Sequence, residues 1–407
     1  MRFVLAVAAS ALCVLAAKLE PADGKVVFGV WFDGTADTSI YSGNDTAAKV
    51  NDRLGFNVGS FQMWQSLPLE HKPEMAPLQN DDGSINMDML NEGTDASLFL
   101  TVYPKSLAVN DSDILALANQ CADIIKSGRN VFLRLAPEMN GDWFPAYSRQ
   151  PAQYIAFWQK VHGVVTGVAP QVAFVWGPNY HGPSTQDTYD PYWPGADYVD
   201  WVGISLYWKG FARDWPWAVN NLSPINYTSD IISGVLPEAA EDNFYAKFAE
   251  KYNKPFVICE TAAGFIMSSY NPTTKVVSPV SPGPGRAELQ LSFWKSIFND
   301  DVLRKYPRFK MVFAFEMYKR EDNMDRDFRA TTDPESLKAI SGLLETMDKK
   351  GVMAWAKSSA ATSATSSAAD QVTTTKAVAS VSPTASKSSG FKVQIAGIVG
   401  LVVSLLL

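Results

Sequence analysis

VFLRLAPEMNGDW, from Val131 to Trp143, is the stretch on which the fold of this chain turns. Its first half is an apolar run of strand length. Its second half abruptly presents a carboxylate, an amide, a glycine and a tryptophan. Strand parity puts Arg134, Ala136 and Glu138 on one face, so in a barrel Glu138 emerges at the rim with Arg134 beneath it. A second apolar run, Pro255 to Thr261, also ends on a glutamate, in the VICE of Val257 to Glu260.

Outward from these two runs the chain alternates strand and helix. Val26 to Asp33 reads as the first strand, Thr46 to Leu54 as a short helix, and Phe56 to Gln65 as the second strand. Asp95 to Pro104 is the third, followed by a helix from Asp111 to Ser127 that Gly128 stops. After the fourth strand a helix over Ala152 to Val168 leads to the fifth strand, Val172 to Asn179, and Tyr198 to Trp208 is the sixth. Glu238 to Tyr252 reads as helix and Arg286 to Lys305 as one long helix, with the seventh strand between them. Phe309 to Tyr318 is the eighth strand.

Such alternation implies parallel pairing. About eight units in roughly 330 residues predict an α/β fold, a (β/α)8 TIM barrel, as a single catalytic domain over 18–355. An open doubly wound sheet is disfavoured by the missing GxGxxG after the first strand and by glutamates at two separated strand ends. Lys209 to Leu236, rich in Trp, Asn, Pro and Ser, is expected to overhang the carboxyl-terminal mouth.

The 407 residues are 47% hydrophobic and 19% charged, ordinary globular composition with ample length for a large core. A net charge of -7 and no Lys/Arg cluster argue against nucleic acid and favour a neutral ligand. Aromatic content of 12% suits stacking against the flat faces of sugar rings, and suits core packing equally well. His71, His162 and His181 show no ligand spacing and no GxSxG elbow is present, so neither a metal, a cofactor nor a Ser-His-Asp triad is expected.

Residues 1–17 combine an early Arg, an apolar run and small residues, the pattern of a cleaved signal peptide. Removing it leaves Cys121 and Cys259 as the cysteines, expected as two buried free thiols with Cys259 facing the helix layer. Sequons at Asn44, Asn110, Asn221 and Asn226 fit a secretory route. Residues 356–390 are a Ser/Thr/Ala-rich stalk unable to build a core, expected to be disordered. Residues 391–407 end in an apolar tail resembling a GPI-attachment signal, with a plain tail anchor as the alternative. The expectation is a monomer at the cell surface or wall, released from intact cells by phospholipase and touching the membrane only through its anchor.

Retaining hydrolysis of a glycosidic bond needs one carboxyl that gives a proton to the leaving oxygen and another, about 5 to 5.5 Å away, that attacks. Glu138 in an aromatic rim suits the first role. Glu260, close to Tyr207 and Arg134, is expected to stay charged for the second. Candidate substrate contacts are Arg134, Asn140, Trp143, Trp176, Tyr207 and Trp208, each also open to a packing role. Trp31, Phe32, Trp64 and Tyr103 share that ambiguity. Of Phe315 and Glu316 parity sends one inward, expected to be Phe315.

RLAPEMNGDWF resembles glycoside hydrolase family 26, the β-mannanase family among the retaining barrel glycosidases. That family carries Arg-x-x-His-Glu-Met-Asn-Gly-x-Trp at the end of its fourth strand. The resemblance implies Glu138 as acid/base, with Arg134 and Trp143 matching the arginine and tryptophan. It further implies Tyr207 as the sixth-strand tyrosine that contacts the nucleophile, and Glu260 as that nucleophile. The family histidine is Pro137 here, and the eighth-strand tryptophan has Phe315 as its nearest counterpart. The implied activity is endo-hydrolysis of a β-linked polysaccharide, β-1,4-mannan first and β-glucan next. A catalytically inactive cell-wall carbohydrate-binding protein on the same barrel is the alternative that Pro137 keeps open.

Overall fold

The computed structural model describes residues 17–35, 43–75, 77–182, 187–235 and 242–358. Most of the segments read as signal peptide (1–17) and stalk (356–390), and all of the apolar tail (391–407), lie outside these residues.

Eight parallel strands close into a barrel in chain order: Val27–Phe32, Ser60–Leu67, Ser97–Pro104, Val131–Leu135, Ala173–Trp176, Trp201–Trp208, Phe256–Ala263 and Phe309–Glu316. The last pairs with the first in register from Val27 opposite Met311 to Phe32 opposite Glu316, which leaves no free edge. Inside, Phe99, Phe132, Val175, Trp201, Val257, Met311 and Phe313 fill the barrel. The larger apolar cluster lies between the strands and the surrounding helices. The TIM-barrel expectation therefore holds. Two glycines show how tightly the interior is filled: a Cβ on Gly29 would stand 2.3 Å from the Phe313 ring, and one on Gly203 2.4 Å from the Val257 carbonyl.

Several boundaries differ from the sequence reading. The second strand starts at Ser60, because Phe56 stacks on Trp355 at 4.5 Å and the Val58 amide donates to Asn51 Oδ1 at 2.9 Å. The helix read over Arg286 to Lys305 is two, Arg286–Ile297 and Asp300–Lys305, since Asn299 Oδ1 accepts from Val302 N and caps a new helix. Within Glu238 to Tyr252, the described residues hold a π-helical segment at Tyr245–Glu250. The barrel domain runs slightly past Trp355, because Lys357 exchanges hydrogen bonds with Asp95.

One element has no counterpart in the sequence reading. The eighth strand stops at Glu316, and the chain turns into an antiparallel hairpin, Tyr318–Glu321 and Met324–Asp327. This pairs with a second hairpin, Phe265–Tyr270 and Val277–Pro279, that follows the seventh strand. The resulting four-stranded sheet anchors the segment after the sixth strand. Buried Arg326 donates to the Trp217 carbonyl at 3.1 Å, and Lys209 pairs with Glu321 at 2.8 Å. Among the described residues no helix is long and apolar enough to cross a membrane.

Candidate active site

The fourth strand ends at Leu135, three residues before Glu138, so parity does not aim the glutamate. The turn does. Ala136 and Glu138 hold φ values of 45° and 55°, a left-handed backbone that costs about 1–3 kcal/mol per non-glycine residue and persists only where the surroundings impose it. Here the Glu138 amide donates to the Gly177 carbonyl and the Gly141 amide to the Glu138 carbonyl, both at 3.0 Å. Both carboxylate oxygens are then engaged: Trp143 Nε1 donates to Oε2 at 2.9 Å and Asn179 Nδ2 to Oε1 at 3.0 Å. Gly141 makes the first bond possible, because a Cβ there would fall 2.4 Å from the Trp143 ring.

Glu260 reaches the same mouth through a bulge. Ile204 pairs with Ile258 but Ser205 pairs with Glu260, so Cys259 is the extra residue. This overturns the expectation that Cys259 faces the helices: it lies in the barrel interior with Val257, and Glu260 follows it inward. Both thiols are free and buried, as expected, and burial pushes each up to about 12.

Two side chains hold Glu260, and Ser205 steadies one of them. Arg134 Nη1 bonds Oε1, Arg134 Nη2 donates to Ser205 Oγ at 2.7 Å, and the Tyr207 hydroxyl donates to Oε2 at 2.7 Å. Gly177 leaves room for the guanidinium, since a Cβ there would sit 2.9 Å from Arg134 Nε. Burial raises the Glu260 carboxyl above its ordinary range, opposed by Arg134 and reinforced by the charge of Glu138. Desolvation and the two donors thus pull the carboxyl in opposite directions, with the net direction upward. Burial first, then the charges of Glu260 and Glu138, hold the Tyr207 phenol well above its usual range, so it remains a donor.

Glu138, Glu260, Arg134, Trp143 and Tyr207 therefore come together. Phe315 turns inward as expected, edge-on to Tyr207 at 5.5 Å and to Trp31 at 5.4 Å. Glu316 points away and accepts from the Ala330 amide at 2.8 Å and the Thr331 amide at 3.1 Å. Tyr103 is half-buried beside the site, where desolvation first and then the charges of Glu260, Arg134 and Glu138 act on its phenol.

Three expected contacts are overturned. Trp176 is fully buried behind the fifth strand, stacked on Phe244 and 4.9 Å from Trp193, because Val175 takes the inward position. Trp208 follows inward-facing Tyr207 and so turns out. It packs on Tyr227 at 4.9 Å, and its Nε1 donates to the Asn221 carbonyl. Asn140 is buried, with both ends of its amide turned to Asn179: Nδ2 donates to the Asn179 carbonyl and Oδ1 accepts the Asn179 amide, both at 2.9 Å. Asn179 and Ser205 are the site residues the sequence reading missed.

A closed parallel barrel with paired carboxylates at the carboxyl ends of its strands, reached independently from the sequence, has the plan of a glycoside hydrolase. The comparison with family models bears this out and narrows it. Residues 103–240, running from the third strand past the sixth, match the model of glycosyl hydrolase family 26. Among solved structures, an endo-β-1,4-mannanase from Cellulomonas fimi is 12% identical over 79% of this chain and 71% of its own, with a TM-score of 0.49. A β-mannanase from Bacteroides ovatus is 15% identical over 82% and 90%, TM-score 0.47. An engineered protein is 14% identical over 82% and 72%, TM-score 0.51, a likeness of fold. No curated protein matches the chain in sequence.

Proposed function

We propose that the protein is a retaining glycoside hydrolase that cuts a β-linked polysaccharide by double displacement, with Glu138 as acid/base and Glu260 as nucleophile. The observation that carries this assignment is the asymmetry of the two carboxylates. Glu260 is gripped by a cation and a phenol, Arg134 and Tyr207, whereas Glu138 is held by neutral N–H donors, Asn179 and Trp143. A nucleophile must be ionised to attack and must later leave as a carboxylate, and positive charge on it favours both.

In the first step a Glu260 oxygen attacks the anomeric carbon while Glu138 gives its proton to the departing sugar oxygen. In the second, Glu138 takes a proton from water, which displaces Glu260 and restores the starting configuration. Trp143 and Tyr207, both partly exposed, offer ring faces at this mouth for a sugar. The family resemblance at Arg134 to Trp143 favours β-1,4-mannan, then β-glucan. Display at the cell surface fits a polymeric substrate that cannot enter a cell.

Incubating the protein with mannans, β-glucans and xylans and assaying new reducing ends tests the reading. New ends on mannan, with the β-anomer formed first by NMR, are expected. No product from any of these polymers sinks it.

A further inference from the structure

The segment Gly177-Pro178-Asn179 touches both halves of the site. Gly177 offers its carbonyl to the Glu138 amide at 3.0 Å and to Arg134 Nη2 at 3.5 Å, so one peptide group joins the two carboxylates' supports. The Ser205 amide donates to the Pro178 carbonyl and the Tyr180 amide to the Ser205 carbonyl, both at 3.1 Å, which fastens the segment to the sixth strand. Asn140 fastens its other side by gripping both the amide and the carbonyl of Asn179. That double bond fixes which end of Asn140 is oxygen, because an amide donates only from nitrogen. Asn179 is buried, and its Nδ2 stands 3.0 Å from Glu138 Oε1. In the pattern that RLAPEMNGDWF resembles, a histidine precedes the acid/base. Pro137 has no side-chain donor, and here a donor arrives instead from the end of the fifth strand.

We propose that Asn179, clamped by Asn140, is the positioning residue of Glu138: it fixes the carboxyl for proton transfer and sets the alkaline limb of the pH profile. This rests on the assignment of Glu138 as acid/base. An N–H aimed at a carboxylate favours the ionised form, so removing it makes the proton harder to lose, and replacing it with a second carboxylate does so more strongly. The titratable groups near enough to feel the charge of Glu138 are Arg134, Glu260, Cys259, Tyr103, Tyr147 and Tyr207. Substitution at Asn179 leaves all six in place.

The test compares Asn179→Ala and Asn179→Asp with the unaltered protein. On the polysaccharide, kcat is expected to fall about tenfold to a hundredfold with KM little changed, since general acid catalysis is worth about 10²–10⁴-fold when intact. The alkaline limb of kcat/KM moves to higher pH, further for Asp than for Ala. On a dinitrophenyl glycoside, whose leaving group departs without a proton, the release step loses far less. An unmoved limb, or equal losses on both substrates, overturns the role. If the unaltered protein cuts no polysaccharide, the hydrolase reading has failed on its own. Carbon-13 NMR of the Glu138 carboxyl then decides about Asn179: a titration midpoint rising from Asn to Ala to Asp supports the bond, and a fixed midpoint overturns it.

Discussion

Glu260→Gln is expected to abolish hydrolysis, by about four orders of magnitude or more, and to make the protein more stable than the unaltered chain at neutral pH. The first effect follows from removing the attacking oxygen's charge. The second follows from the direction in which burial moves this carboxyl. Its folded value lies above its ordinary one. A carboxyl raised on folding binds its proton more tightly in the native state, so its contribution to stability is fully present below the ordinary carboxylate range. That contribution is lost as pH rises through the folded value. Glutamine keeps the neutral form at every pH. Its oxygen still accepts from Arg134, its amide finds the Tyr207 oxygen, and the buried guanidinium keeps Glu138 as its remaining counter-charge, so the cation is not left without an anion. Burial also raises Glu316 and Asp33, but these are common to both proteins and cancel. Denaturation midpoints of variant and parent should therefore nearly coincide at about pH 4 and diverge in the variant's favour toward neutrality. A variant that loses stability relative to the parent over that range contradicts this account. Glu138→Gln, by contrast, is expected to cost about 10²–10⁴-fold in polysaccharide turnover.

That stored cost also explains which parts of the site were legible in sequence. The barrel was, because strand and helix periods alternate along the chain and each run ends near its observed limit. Arg134, Glu138, Tyr207 and Glu260 were found because each sits at or near a strand end with a chemistry that packing alone does not demand. The path by which Glu138 and Glu260 reach the mouth was not. Parity from Arg134 happens to name the right side chain, yet Glu138 is aimed by left-handed residues at 136 and 138. Parity from Glu260 misplaces Cys259 because a bulge adds one residue between Ile258 and Glu260. Neither event leaves a mark in composition.

Trp176 and Trp208 show a different failure, since alternation was available there. Val175 and Tyr207 occupy the inward positions, so the tryptophans beside them had to face outward. The hairpin over 318–327 hides because its strands, YKRE and MDRD, are held by Lys, Arg, Glu and Asp rather than by an apolar face. Its turn residues Asp322 and Asn323, both at positive φ, were the available signal. Asn179 lay beyond reach, because its role depends on a side chain arriving from another strand.

Arg134→Met is the second change with a large expected effect, and its pH dependence separates an electrostatic role from a packing one. The guanidinium is fully buried and is the cation on Glu260. Removing one partner of a buried pair costs about 3–5 kcal/mol when the other stays charged. Glu260 has an escape: it takes up a proton. Without Arg134 its folded value rises further, so the destabilisation should be small in acid and grow as pH climbs toward neutrality. Hydrolysis at neutral pH should fall steeply with it, because the attacking carboxyl holds its proton more tightly and has lost the cation that favours its charged form. The double variant Arg134→Met with Glu260→Gln isolates the charge. It carries neither member of the pair, so at neutral pH it should be more stable than Arg134→Met alone, with a coupling of about 1–3 kcal/mol between the two sites. Methionine also vacates the space beside Gly177 that the guanidinium fills. A pure packing loss would be the same at every pH and would add to Glu260→Gln without coupling. Flat, additive behaviour would mean that Arg134 serves the barrel's interior and that something else holds Glu260 ready to attack.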